Sequence, residues 1–471
     1  MRCLLPGLML TILAGCAVGP DYHKPDQAQD QAPAAWAVEA PWRAGEPGDA
    51  YAKGAWWERF GDPVLSQLEQ QALVNNQTLA AANARLLQAR ANVTGVAAGL
   101  LPQVGVGARA GRLQISGDRP LTNYNAPNYS TVQSDFSVGI AVNYEADLFG
   151  RVRRSVESAR AFEQQSVADL ENTRLLLSAD LASNYFSLRQ ADSELRVVNR
   201  SIDLQRRSLE LATARHELGV TSGLDVAQQE TLLESTLTQL DLLRRIRGQY
   251  EHAIATLIGT PAPLFSLPVS QAEVTPPAVP LGLPSDMLQR RPDIASSERA
   301  MAAANAQIGI ASAAYYPSFI LNPTYGFDSN SMTTLFNAPS LLWSFGVSVS
   351  QTLFSGGRIG AGVDFAKAGY QGTVAIYRRT VLTALQEVQD GITGVVTLDS
   401  ALVQTQKAIV SARLAVDIAN ARYEDGVAIY LEVISAEQAL LSNERQLAQL
   451  NGQRLLVSVF LIKALGGDWG A

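Results

Sequence analysis

The chain has 471 residues, with 37 Lys and Arg against 44 Asp and Glu, and a formal net charge of −7. That balance argues against a nucleic-acid partner. Charged residues make up 17%, below the roughly 25% of an average globular chain, and no run of about eighteen apolar residues offers a transmembrane helix.

The first predicted element is a processing segment. Arg2 gives a short positive start, Leu4 to Leu13 is apolar apart from Pro6, Gly7 and Thr11, and Leu13-Ala14-Gly15-Cys16 closes the run. Such a run is too short for a permanent span, and its small residues suit a signal peptidase. Residues 1–15 therefore read as a signal peptide, with Cys16 as the acceptor of a diacylglyceryl group and an N-acyl chain. Several acyl chains give stable anchoring where one is marginal. Cys3, the other of the 2 cysteines, lies in the discarded segment, so a mature chain has no disulfide, cysteine metal cluster or thiol nucleophile. Ala17 in place of an aspartate points to outer-membrane delivery.

Residues 16–60, rich in Pro, Ala, Gly and charges up to about Gly54, read as an extended tether. A helix containing Ala81-Ala82-Asn83-Ala84 then leads through Leu101-Pro102 into an alternating segment at about 103–115, where Val104, Val106, Ala108 and Ala110 share one parity. A second strand at about 130–145 places Val132, Phe136, Val138, Ile140, Val142 and Tyr144 on one face and mainly polar or small residues on the other, a period of two. Between them, Ser116 to Thr131 is polar and turn-rich, an exposed loop. From Arg151 to about Leu218 there is no proline, which predicts a helix of roughly 100 Å. Leu181, Leu188, Leu195, Ile202 and Leu209 repeat every seven residues, and Val197, Leu204, Leu211 and Leu218 form a neighbouring stripe. A seven-residue period drives left-handed supercoiling, and two stripes suit a helix that touches neighbours on both sides, as a stave does. The chain reverses near Gly219 to Gly223, returns from Leu224 to Ile258, and enters a proline-rich connector at 261–283.

The same order then repeats. Arg290 to Ile294 opens a helix containing Ala303-Ala304-Asn305-Ala306, Tyr316-Pro317 leads into strands at about 318–328 and 342–354, and a long helix covers about 358–425. Arg151 and Arg358 are 207 positions apart, and Gly219, Leu224, Asp225 and Val226 match Gly426, Leu431, Glu432 and Val433 at that same offset of 207. The halves are 61–260 and 284–466, followed by a tail at 467–471. Alternation by itself also fits a soluble β-sandwich, and the heptads by themselves fit a coiled-coil rod. Behind a lipid anchor, however, four strands cannot close around water, and open edges cannot sit in hydrocarbon. The barrel must be shared between copies, and two or three copies satisfy the arithmetic.

Enzyme chemistry finds no constellation. His23, His216 and His252 are the 3 histidines, with no cysteine or paired carboxylate at metal-ligand spacing, and there is no Walker-type phosphate loop. We expect a non-enzyme with no metal and no cofactor beyond the lipid on Cys16. The polar candidates sit at the two helix reversals. Asp425, Glu424 and Glu432 surround the second, and Glu217 and Asp225 the first. They are either solvated helix ends or, repeated around an oligomer axis, rings of carboxylates at a constriction. Arg215 or Arg422 could pair with them as a latch.

Several strings taken in order resemble TolC-like outer-membrane efflux proteins, in particular the NodT-type lipoprotein branch. They are Cys16-Ala17-Val18-Gly19-Pro20-Asp21-Tyr22 with Pro25, Trp56-Trp57-Glu58-Arg59-Phe60-Gly61-Asp62-Pro63, Leu257-Ile258-Gly259, and Arg290-Arg291-Pro292-Asp293-Ile294. The resemblance covers nearly the whole chain. It implies an α+β membrane protein that forms a homotrimer: a twelve-stranded outer-membrane β-barrel, four strands per chain, continuous with a long periplasmic α-helical barrel. The strand-pair loops would be extracellular. It also implies a periplasmic membrane-fusion adaptor and an inner-membrane transporter of the resistance-nodulation-division class as partners, besides outer-membrane lipids. The family's tip pattern falls on Tyr423, Gly426 and Glu432, with Ser435 at the second acid position and Ala428 where some relatives carry a basic residue. The expected function is a passive exit channel for drugs or other toxic small molecules. A type I protein secretion conduit and an anchored structural or adhesive oligomer are the alternatives.

Overall fold

A computed structural model describes residues 17–23, 54–118, 130–270, 274–279 and 290–467. The expected signal peptide and Cys16 lie outside the described residues, as do most of the tether, the middle of the first strand loop, much of the connector, and the tail after residue 467. The chain divides into a sheet-containing unit (Met1–Lys24, Arg85–Ser166, Ser296–Tyr377) and a helical unit (Pro25–Ala84, Val167–Ala295, Arg378–Ala471).

Seven helices occur among the described residues: α1 Pro63–Asn75, α2 Gln77–Ala97, α3 Arg151–Glu217, α4 Gly223–Leu257, α5 Pro292–Ala313, α6 Arg358–Glu424 and α7 Tyr430–Ala464. The duplication is written into their lengths. Both long helices have 67 residues and both return helices 35. No helix of the described residues is long and apolar enough to cross a membrane.

The sheet-containing unit holds four antiparallel strands, two of them broken. β1 (Gln103–Ile115) pairs along its whole length with β2 (Thr131–Glu145). The other edge of β2 takes β4 (Thr324–Ser329) and β3 (Ser318–Leu321), which in turn pair with β5 (Leu341–Ser344) and β6 (Val347–Ser350). The break between β3 and β4 falls at Asn322 and Pro323, where proline has no N–H to give the ladder; its carbonyl still accepts from Val142 at 2.9 Å. The last strand, expected to reach 354, ends at Ser350, and the side chains of Leu353 and Phe354 beyond it are exposed.

Register turns the alternation of each strand into a continuous face. Val106 lies opposite Ile140, Ile140 opposite Tyr325, and Tyr325 opposite Trp343; the next row runs Ala108, Val138, Phe327, Leu341. The members of the first row are 47–80% exposed, so among the described residues an apolar row crosses the sheet largely uncovered; in the next row Phe327 packs against Phe336 at 5.6 Å between centroids. The opposite face carries Gly107, Gly139 and Gly326 in one row. There a Cβ on Gly139 would come 3.0 Å from the Tyr325 carbonyl oxygen, and one on Gly326 would overlap that of Val138. The outer edges of β1 and of β5 and β6 have no strand partner among the described residues.

In the same unit, Ala17 to His23 is not a free tether. Val18 N donates to Phe149 O, and the Arg154 guanidinium grips Asp21 Oδ1 (2.7 Å), Gly19 O (3.3 Å) and Val18 O (3.4 Å). Asn305 Nδ2 donates to Pro20 O at 2.9 Å. Gly19 and Gly309 pack backbone to backbone, with 2.5 Å from a Cβ built on Gly19 to the Gly309 Cα. Composition suggested a tether because the segment has no periodicity; what docks it is backbone carbonyls meeting one buried arginine.

The helical unit has the aromatic core. Trp56, Trp57 and Phe60, in a 3-10 turn within the stretch expected to be tether, are buried. Phe60 meets Phe186 at 4.8 Å between ring centroids, and Trp56 Nε1 donates to Ser178 Oγ at 3.1 Å. Asp62 Oδ1 accepts from the N–H groups of Val64 and Leu65 and caps α1, with Pro63 at its first position. Asp62 Oδ2 accepts from the Tyr185 hydroxyl at 2.6 Å. Along α3, Leu181, Leu188, Leu195 and Ile202 are buried, whereas Leu204, Leu211 and Leu218 on the second stripe are exposed by 50%, 51% and 78%. The first stripe is thus spent inside the chain down to Ile202, with Leu209 half-buried, while the second, half-buried at Val197, comes to the surface from Leu204 onward. The first part of the connector is clamped by buried Asp192, which takes Arg189 at 3.0 Å, Arg247 at 2.7 Å and the Ser270 N–H at 3.3 Å; Arg189 and Arg247 also donate to the carbonyls of Pro268 and Leu267.

Candidate functional site

The two helix reversals have the same backbone. Gly219 and Gly426 both have φ of 73°, the left-handed conformation that ends a helix at low cost only for glycine. In the first turn Gly219 N donates to His216 O and Val220 N to Arg215 O; in the second Gly426 N donates to Tyr423 O and Val427 N to Arg422 O. This paired 6→1 and 5→2 pattern satisfies carbonyls that a helix end would otherwise leave open.

Side chains separate the turns. The first closes on itself, with His216 Nδ1 2.9 Å from Thr221 O and Ser222 Oγ capping the Leu224 N–H. The second has Ile429 at its N-cap and no side-chain cap. Its aromatic pair, Tyr423 and Tyr430, lies 4.8 Å apart between centroids. Tyr430 is buried and donates to Gln229 Oε1 at 3.0 Å, while Gln229 Nε2 donates to Gln205 O at 2.9 Å. A hydrogen-bonded relay thus runs from α7 through α4 to α3. Burial, aided by the carboxylate of Glu437, pushes the Tyr430 hydroxyl up to about 12, and burial also raises Glu437.

Of the residues singled out from sequence, Arg215, Asp225 and Tyr423 line one cleft of about 560 Å³. The Arg215 guanidinium sits over the Tyr423 ring, 5.2 Å from its centroid. Arg422 reaches Glu432 at 3.6 Å, with both side chains about half exposed, a pair worth about 0–1 kcal/mol. Asp425 is exposed on the turn, and the Ser435 hydroxyl bonds back to Leu431 O at 2.8 Å. Sequence reasoning missed Tyr430 and Gln229. Their signal was available only as an asymmetry, since position 430 corresponds to Gly223 and Gln229 to Ala436 at the offset of 207. Among the described residues no group of three His, Cys, Asp or Glu could hold a metal ion.

The family described as outer membrane efflux protein matches residues 68–260 and 283–467. The chain belongs to that family. The pyoverdine export outer membrane protein OpmQ of Pseudomonas aeruginosa is 32% identical over 441 residues, 93% of this chain and 91% of that protein. The toluene efflux pump outer membrane protein TtgC of Pseudomonas putida is 33% identical over 464 residues, 97% and 94% of the two. Among solved structures, the outer-membrane channel OprN superposes with a TM-score of 0.87 at 30% identity, covering 96% of this chain and all of that one. The α+β fold with its duplicated halves is that of these outer-membrane channels. The chain is an outer-membrane efflux protein, the exit channel of a tripartite system.

Proposed function

We propose that three copies of the chain, each anchored by a lipidated Cys16, close one twelve-stranded barrel and pass small toxic molecules out of the cell. A periplasmic adaptor and an inner-membrane transporter of the resistance-nodulation-division class would supply the energy. The observation that carries this reading is the four-stranded sheet, with an apolar face and two edges that have no strand partner among the described residues. Each unsatisfied edge group costs several kcal/mol in hydrocarbon, on the order of a lost hydrogen bond and its desolvation, and edge-to-edge pairing with identical sheets removes that cost. The exposed stripe of Leu204, Leu211 and Leu218 supports helix contacts between copies. Low-molecular-weight cargo is supported by the pyoverdine and toluene named for the relatives.

The reversal residues Asp425 and Glu432, with Tyr423, Ser435 and Asp225 nearby, form the periplasmic aperture in this reading, and the Arg422 pair is its weak latch. Planar-bilayer recording of the purified full chain tests the channel: discrete conductance steps are expected from trimers, and silent trimers would sink the pore reading. In the same recordings Glu432→Gln lowers cation selectivity or raises closed-state leak; both values unchanged would remove Glu432 from the aperture. Intact mass of the membrane-extracted protein, with Cys16→Ser as comparison, tests the anchor.

A further inference from the structure

The cleft beside the docked N-terminal segment has a chemistry that passage of cargo does not use. It measures about 430 Å³ and is lined by Tyr22, Arg153, Arg160 and Arg299, with Val156 and Ala302 as apolar floor. Arg153 and Arg160 are seven residues apart, two turns of α3, and so share a face. The acids at hand are already engaged. Glu157 lies 2.7 Å from Arg154, and Asp147 accepts the Arg153 backbone N–H at 2.8 Å and its Nε at 3.4 Å. Arg160 and Arg299 have no carboxylate within ion-pair distance among the described residues, and Glu157, the one carboxylate in the cleft lining, is already held by Arg154, which leaves two guanidinium groups on one concave surface without an ion-pair partner. Guanidinium forks match phosphate oxygens bidentately.

Position supplies the ligand's source. β2 ends at Glu145 and α3 starts at Arg151, so the cleft occupies the first three turns after the sheet, roughly 15 Å of helix. Ala17, the residue following the proposed lipidated cysteine, packs against Gly150, with 2.9 Å from a Cβ built there to the Ala17 Cα. Long arginine side chains reach toward headgroups from such a depth. We propose that this cleft binds the phosphate headgroup of an anionic lipid in the periplasmic leaflet, beside the chain's own acyl anchor. The inference rests on the sheet being the membrane-crossing element.

The test is native mass spectrometry of the full-length chain in detergent, titrated with phosphatidylglycerol or phosphatidylcholine, with inorganic phosphate as a separate arm. The wild type should retain phosphatidylglycerol over phosphatidylcholine by roughly thirtyfold, the effect expected of about two surface arginines. The double variant Arg160→Gln, Arg299→Gln should lose that preference, Arg160→Lys with Arg299→Lys should keep most of it, and Arg206→Gln, exposed elsewhere on α3, should leave it unchanged. No preference in the wild type overturns the proposal, and so does full preference in the double glutamine variant. Displacement of the lipid by millimolar inorganic phosphate also overturns it, since the site is then one for free anions. If the double variant does not assemble, the single variants are read in its place. Bilayer conductance of the same preparations reports on the channel independently: a conducting protein without lipid preference fails this proposal alone.

Discussion

The two halves of the duplication fasten their return helices at the same place by different chemistry. In the first, Asn76 Nδ2 donates to Leu257 O, the last carbonyl of α4, at 2.8 Å; in the second, Arg291 donates to Ala464 O, the last carbonyl of α7, at 2.9 Å. Glycines follow both helices, Gly259 against the backbone of Asn75 and Gly466 against that of Arg290. The first half closes this joint with a neutral amide. The second uses a buried guanidinium flanked by Asp293 and Glu387, each at 2.7 Å. Duplication therefore preserved the backbone geometry and the need to satisfy a helix end, while the group that meets the need diverged. The same holds at the reversals, where the first turn is capped by its own His216 and Ser222 and the second relies on the relay from Tyr430 to Gln229.

The largest expected effects come from buried charge, where the halves differ most. Glu69 in α1 is fully buried, neither carboxylate oxygen has a partner among the described residues, and burial pushes it up to about 9. A raised folded-state pKa is most favourable below the ordinary value of 4.5 and is progressively lost as pH climbs toward 9, a loss on the order of 3 kcal/mol by neutral pH. Glu69→Gln should flatten the fall in melting temperature between pH 5 and pH 8, and an unchanged slope would show that Glu69 ionises freely. Arg291→Leu should destabilise by about 3 kcal/mol in denaturant unfolding, because it removes the donor to the buried Ala464 carbonyl and the cation beside Asp293, while Glu387 keeps Lys463 at 3.6 Å. Asn76→Ala at the matching joint should cost about 1–2 kcal/mol. Equal costs for the two would erase the distinction between them.

At the reversals, Tyr430→Phe should cost about 1–2 kcal/mol by leaving Gln229 Oε1 buried without its donor. Amide exchange should quicken near Gly426 but not near Gly219; faster exchange at both would mean that the turns are coupled both ways. The smallest effects belong to the caps. Ser222→Ala should cost about 1 kcal/mol, and Ile429→Ser should gain up to that amount. A loss on Ile429→Ser would show that Ile429 packs usefully where Ser222 caps.

Much of the fold could be read from period alone. The two-residue period of Val132 to Tyr144 and the seven-residue period of Leu181 to Ile202 commit those segments to a two-faced strand and a long helix, because each period has one local geometry that collects its apolar residues on one side. The candidate site was less legible. Arg422 and Glu432 are close because they flank a short turn, a local fact, and a constant offset in the chain located both turns. Tyr430 and Gln229 are 201 residues apart, and no local signal announces their meeting. Likewise nothing in the composition of Ala17 to His23 or Trp56 to Phe60 separates a docked segment from a loose one, since docking depends on partners such as Arg154 and Phe186.

The sequence by itself determined the duplication, the types of element, the strand faces and the need for partners to close the sheet, all consequences of periodicity and of the cost of open backbone groups. Only the tertiary structure decided which apolar residues form one row, where Pro323 breaks a strand, which heptad stripe is buried inside the chain, and which side chain satisfies each helix end. Those outcomes depend on register and on groups distant in sequence meeting in space, and a local pattern carries no information about either.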